Sequence, residues 1–256
     1  MDPMLLEDRG YAIFDSLEPQ YLLKVRDQVF CLMKEIFSLP DTPSDIGLNQ
    51  FHQKISDRSP AEVNTMRVEL IRRLNVEGDI DQCIFNAFKP VIVSLLGPDI
   101  LVQRNVNLVI QVPGDPNPSE LHRDAPANSH YEIVVWVPLV DCYATKAMYI
   151  VDRANTELAL SRLDGNPSDW LGFEHFAKSL AKTPSVAFGQ ALIFHTGCLH
   201  GSEVNEETET RVSLNLRFKN IFTPSGLKNQ LQFFRPIIVS EIAILGAAME
   251  ARDLKR

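Results

Sequence analysis

Leu22, Val25, Val29, Leu32, Met33 and Ile36 recur at steps of three, four and seven, which on a 3.6-residue helix gathers them into one apolar stripe. The spacing predicts a helix over residues 18–37. Ser59, Pro60 and Glu62 place an N-cap hydroxyl, a first-turn proline and an N3 glutamate ahead of Val63, Met66, Leu70, Ile71 and Leu74, so a second amphipathic helix is expected there. A third runs over residues 80–88, is interrupted at Pro90 and is closed by Gly97 and Pro98, because proline removes a donor and its ring clashes with the preceding turn. From Leu101 the period changes. Val106, Leu108, Ile110 and Val112 alternate with Asn105, Asn107, Val109 and Gln111, the two-residue repeat of a strand with unlike faces. Residues 113–118 are too rich in proline and glycine for a helix. Beyond them strands are expected at 119–123, 131–139, 147–151, 186–188, 191–195 and 209–218, and many short strands separated by turn residues make a barrel or sandwich. A short helix over 170–180 falls inside an insertion at 155–182, and a final helix over 236–252. The expectation is a single domain over 1–256, mainly β with flanking helices: helical support in 1–98, a β core in 99–220 and a helical tail in 221–256.

Composition narrows the function classes. A chain of 256 residues that is 45% hydrophobic can bury one full core. Thirty-three acidic against 25 basic side chains give a net charge of -8, which repels nucleic-acid phosphates and anionic lipid surfaces. No nucleic-acid partner is expected. The opening Met1-Asp2-Pro3 lacks the basic and apolar regions of a signal peptide, and the densest apolar run, residues 133–140, is too short to span a bilayer. The reading is cytoplasmic, without membrane insertion. Cys31, Cys83, Cys142 and Cys198 stand far apart with no CxxC pairing, so neither a disulfide framework nor a zinc site is indicated, and each is expected to be a small buried thiol.

The chemistry concentrates in two places. His122 and Asp124, two apart on an extended segment, project to the same side. The spacing alone is weak evidence, and a solvated surface turn is the plain alternative. Far downstream come His200-Gly201-Ser202 and, eleven residues after the histidine, Arg211. Arg211, Ser213, Asn215 and Arg217 share one strand face, while Val212, Leu214, Leu216 and Phe218 share the other. A polar row of that kind either meets water or lines a polar cavity, since burying it unpartnered is costly. Two imidazoles and one carboxylate form a facial triad that fills three positions of an octahedral iron(II) and leaves three open. A guanidinium beside a serine suits the far carboxylate of a bidentate keto acid, because its planar fork matches a carboxylate.

His122-x-Asp124, distant His200 followed by Gly201, Ser202 and Asn205, and then Arg211-x-Ser213 resemble the iron(II)/2-oxoglutarate dioxygenases of the phytanoyl-CoA hydroxylase branch. The stretch from Glu132 to Tyr143, with Thr145 to Ile150 after it, is similar to bacterial oxygenases of sporadically distributed carbohydrate gene clusters. The resemblance implies a double-stranded β-helix (jelly-roll, cupin-like) core and a dioxygenase that uses iron(II), 2-oxoglutarate and dioxygen to hydroxylate or otherwise oxidise a small, carbohydrate-linked substrate, such as a sugar or nucleotide sugar, releasing succinate. It assigns the metal to His122, Asp124 and His200 and the C5 carboxylate of 2-oxoglutarate to Arg211 and Ser213.

Several assignments stay open on sequence. His195 competes with His200, but only His200 has the downstream Ser202, Asn205 and Arg211. Trp136 either packs in the core or touches 2-oxoglutarate; Asn105, Asn107 and Gln111 share a strand face, and either one of them hydrogen-bonds the keto acid or the substrate or they are satisfied interior amides. Arg211 either meets the cofactor or pairs with Glu206, Glu207 or Glu209, and Arg217 is either an exposed strand-end residue or a cavity-mouth group. The apolar tail of Ile237, Ile238, Ile242, Ile244, Leu245 and Met249 covers the barrel or a second subunit, so a homodimer is one expectation. Two rival functions fit the same residues: a metal-dependent cupin-type sugar isomerase or epimerase, and a non-catalytic carbohydrate-binding jelly roll.

Overall fold

The computed structural model describes residues 4–227 and 230–253. Helix α1 (Met4–Arg9) turns at Gly10 into strand β1 (Tyr11–Asp15), which interrupts the stretch expected to be wholly helical. Helix α2 (Pro19–Phe37) follows, with Leu22, Val25, Val29 and Met33 fully buried along the expected stripe. Two short helices, α3 (Ser44–Asn49) and α4 (Phe51–Lys54), lead to α5 (Pro60–Glu77). The capping box forms as expected: Ser59 Oγ accepts from the Glu62 N–H at 3.3 Å and the Glu62 carboxylate accepts from the Ser59 N–H at 2.9 Å. Ser59→Ala should therefore cost about 1 kcal/mol of stability, read as a lower denaturant midpoint at unchanged slope.

Helix α6 (Ile80–Leu96) differs from expectation in continuing past Pro90. Phe88 leaves helical geometry and absorbs the missing donor as a kink; the helix then ends at Gly97, whose φ of +80° suits a residue without Cβ.

The remaining elements are β2 (Ile100–Gln103), β3 (Asn107–Gln111), β4 (Glu132–Pro138), β5 (Met148–Ile150), α7 (Arg153–Gly165), α8 (Trp170–Ser179), β6 (Gln190–His195), β7 (His200–Ser202), β8 (Arg211–Asn220), α9 (Gln230–Phe233), β9 (Phe234–Ile238) and α10 (Glu241–Asp253). Seven strands form one antiparallel sheet in the order β1-β6-β4-β8-β2-β9, with β3 pairing β8 alongside β2. Strands β5 and β7 form a second, two-stranded sheet. Together they are a double-stranded β-helix flanked by helices. Register divides β8 as its alternation predicts. Val212, Leu214, Leu216 and Phe218 are fully buried, and Phe218 meets Phe85 of α6 at 6.2 Å. Arg211, Ser213, Asn215 and Arg217 face the other way, into the barrel.

Several expectations need correction. Segments 119–123 and 186–188 are not strands: prolines at 116, 118 and 126 crowd the first, and each makes only one isolated bridge, His122 with His200 and Cys142 with Val186. The insertion holds two helices, α7 and α8, N-capped by Asp152 and Asp169. The tail begins as β9, not as a helix; Pro236 is tolerated because β9 is an edge strand, where one N–H is dispensable. Ile237 and Ile238 of β9 pack against the core, but helix α10 starts only at Glu241 and buries none of its side chains, so the helical part of the tail does not cover the barrel. Cys31 is exposed rather than buried, and all four cysteines are free. No described helix is long and apolar enough to cross a membrane.

Candidate metal centre and active site

His122 and His200 face each other across their single bridge, each backbone N–H bonded to the other's carbonyl at 3.0 and 2.8 Å. Their rings lie 4.3 Å apart. Asp124 follows two residues along the same segment, and one ligand atom from each of the three lies within 4.8 Å of the others. The imidazoles are oriented by carbonyls: His122 Nδ1 lies 2.8 Å from Glu120 O and His200 Nδ1 lies 2.9 Å from Cys198 O. A carbonyl only accepts, so both Nδ1 atoms carry the proton and both Nε2 atoms present lone pairs. Burial, reinforced by His122, holds His200 well below the usual imidazole range, which keeps it neutral. Asp124 Oδ2 is buried without a partner among the described residues. An orphaned carboxylate oxygen beside two imidazole lone pairs is a donor set fit for a divalent transition metal.

The other Asp124 oxygen is taken by Arg217, whose Nη1 also donates to Gln103 Oε1 at 3.0 Å. The Arg217 side chain is only 12% exposed, so the strand-end surface reading fails. Holding one oxygen leaves the other free to take a metal. Arg217→Gln should lower divalent-metal affinity by roughly 10–100-fold, the usual cost of losing a group that orients a ligand, measured by calorimetric titration with Mn(II).

Arg211 lies further along β8 and is 3% exposed. Both terminal nitrogens donate to Ser202 Oγ at 3.0 Å, while its Nε has no partner. Ser213 Oγ and, across the ladder, Gln111 Oε1 are likewise buried and unpartnered. The nearby acids are engaged elsewhere: Glu207 accepts from Thr145, Glu209 from the buried Lys146, and Asp115, in the wall of the same cavity, from the Asn117 N–H. The guanidinium thus has no anionic partner among the described residues, and burial pushes its pKa down. A cavity of about 330 Å³, lined by Val109, Gln111, Ser119 and Arg67, opens beside it.

Trp136 and Asn107 both oppose Asn215, one from each neighbouring strand, and so share the inward face between Ser213 and Arg217. Trp136 is buried and Asn107 exposed. Both ring nitrogens of His195 are engaged with backbone: its Nδ1 accepts from the Gly197 N–H and its Nε2 donates to His130 O. Asn205 staples its turn through Glu209 O and the Glu207 N–H. Tyr149 belongs to the outer side of β5, packed with Phe173 and Ala177 of α8, and its phenol lies where a Cβ on Gly201 would sit. Sequence reasoning placed Ser202 in the motif after His200 without its bond to Arg211, and missed Gln103. The inward placing of Ser202 was findable, since two residues after His200 on one strand means the same face; for Gln103 nothing local signals its partner.

The chain has the fold of non-heme oxygenase-type enzymes. No protein-family model and no curated protein matches it, but solved structures do. The non-heme monooxygenase ThoJ in its nickel complex superposes with a TM-score of 0.54 at 16% identity, covering 93% of this chain and 84% of that one. The non-heme alpha ketoglutarate dependent carbocyclase SnoK from nogalamycin biosynthesis gives 0.55 at 15%, covering 89% and 86%. EctD from S. alaskensis, in its apoform, gives 0.53 at 12%, covering 91% and 82%.

Proposed function

We propose that the protein is a non-haem iron(II)/2-oxoglutarate-dependent dioxygenase that oxidises a small molecule. One observation carries the reading: a buried guanidinium with no anion and a three-residue metal donor set with an orphaned carboxylate oxygen line the same barrel interior. His122, Asp124 and His200 would hold iron(II), and Arg211 with Ser213 would bind the far carboxylate of 2-oxoglutarate. The metal with 2-oxoglutarate and dioxygen supplies the oxidising power, releasing succinate and carbon dioxide.

The chain's own groups provide position and dryness. Ser202 fixes the Arg211 fork, Ser213 Oγ is free to donate to a carboxylate, and Arg217 keeps Asp124 turned. Trp136, Pro138 and Val109 form the apolar wall level with Asn215 and Ser213, which excludes water and strengthens the charged contacts. The nickel held by ThoJ and the keto-acid dependence of SnoK support this assignment. A carbohydrate-linked substrate is the finer reading, supported by the likeness of segment 132–150 to oxygenases of carbohydrate clusters.

The test is succinate formation from 2-oxoglutarate by protein supplied with iron(II), ascorbate and air. Turnover that disappears in His122→Ala is expected. Metal binding without any succinate would overturn the proposal in favour of a metal-dependent isomerase.

A further inference from the structure

On the inner side of β2, β3 and β8, a second cavity of about 670 Å³ is walled by α5. It touches the metal site through one side chain. Arg217 lines it and also grips Asp124. No aspartate or glutamate lines it, although acids outnumber bases 33 to 25 in the chain. Its two guanidinium groups are already neutralised, Arg217 by Asp124 and Arg72 by Glu69, the latter through two bonds of 2.8 Å.

The amides divide into engaged and free. Asn75 is fully used in fixing the 105–107 turn: it donates to Val106 O and Ile71 O and accepts from the Val106 N–H. Gln103 bridges Asn105 O and Arg217. Asn105 and Asn107 are exposed to the cavity, and their side chains have no hydrogen-bond partner among the described residues. Asn215 Oδ1, opposite Asn107, is buried and equally unpartnered.

A carboxamide offers a donor and an acceptor side by side, the complement of a hydroxyl pair. A lining without carboxylates gives an ammonium group nothing to replace its water, and one whose arginines are already paired gains little from an added anion. The volume falls within the roughly 300–1,000 Å³ of small-molecule sites. We infer that this cavity is the substrate chamber and takes a neutral, hydroxyl-rich small molecule whose hydroxyls are read by Asn105 and Asn107. The inference rests on the dioxygenase reading and adds the chemical class of its substrate.

The experiment is calorimetry and saturation-transfer NMR on protein charged with Ni(II) and 2-oxoglutarate, using matched sets built on the same rings: neutral methyl glycosides and cyclitols, the corresponding amino sugars, and the sugar phosphates. Neutral members should bind about tenfold or more tighter than their charged counterparts, and Asn105→Leu and Asn107→Leu should each weaken them about tenfold, near the 1.4 kcal/mol scale of one hydrogen bond. Asn107→Asp should turn the preference toward amino sugars. The assignment is overturned if amino sugars or phosphates bind the wild type as tightly as neutral rings, if no member binds, or if Asn107→Leu weakens 2-oxoglutarate instead. Failure of the wild type to bind 2-oxoglutarate at all removes the dioxygenase reading; normal 2-oxoglutarate binding with any of the three contrary results removes only the chamber.

Discussion

His200→Ala is expected to leave the protein without useful affinity for a divalent metal, a loss of about 100-fold or more, since removing a ligand costs more than disturbing the group that orients it. The residue is 7% exposed, its Nδ1 is held by Cys198 O, and its Nε2 faces Asp124 and His122. Its ring also lies 4.8 Å from Phe194, so truncation leaves a small void and some loss of stability. His200→Gln fills most of that void without restoring an imidazole. Calorimetric titration with Mn(II) should rank wild type first, Arg217→Gln next, and both His200 variants last; a His200 variant binding like the wild type would remove this residue from the metal site.

Arg211→Met should weaken 2-oxoglutarate binding by roughly 10–150-fold, from the 1.5–3 kcal/mol of hydrogen bonds to a charged group and 1.4 kcal/mol per tenfold. Arg211→Lys should recover only part of that, because an ammonium cannot fork onto a carboxylate. The same substitution separates function from structure. An arginine kept for stability would destabilise the fold on removal, whereas a buried guanidinium with no anionic partner costs free energy to keep. Arg211→Met is therefore expected to raise the thermal midpoint of the cofactor-free protein while lowering its affinity for 2-oxoglutarate. A lower midpoint with unchanged 2-oxoglutarate affinity would make Arg211 a structural residue.

What the sequence shows follows from how local each signal is. The α2 stripe, the Ser59 capping box and the β8 alternation are complete within about twenty residues, and each appears where expected. Strands β1, β7 and β9 have three to five residues, too few for a period, and each exists because a partner distant in sequence supplies its ladder; Phe234 and Arg235 of β9 pair with Gln103 and Val102. The kink at Phe88 shows the same limit, since helix packing carries α6 through a proline that local rules treat as a stop. At the site, the grouping of His122, Asp124 and His200 and the inward face of Arg211 were legible because chemistry and spacing coincide. The Arg217 role was not, because its meaning lies in Asp124, 93 positions away, and Gln103, 114 away. Asn107 was legible as inward-facing, but that it lines the cavity beside Arg217 and not the one beside Arg211 is visible only in the structure.

The most direct test is anaerobic titration of the apo-protein with iron(II) and then 2-oxoglutarate, followed in the visible. A metal-to-ligand charge-transfer band should develop as 2-oxoglutarate chelates the iron, be absent in His200→Ala, and require far more 2-oxoglutarate in Arg211→Met. Iron that binds at His122, Asp124 and His200 yet gives no band at saturating 2-oxoglutarate would contradict the assignment.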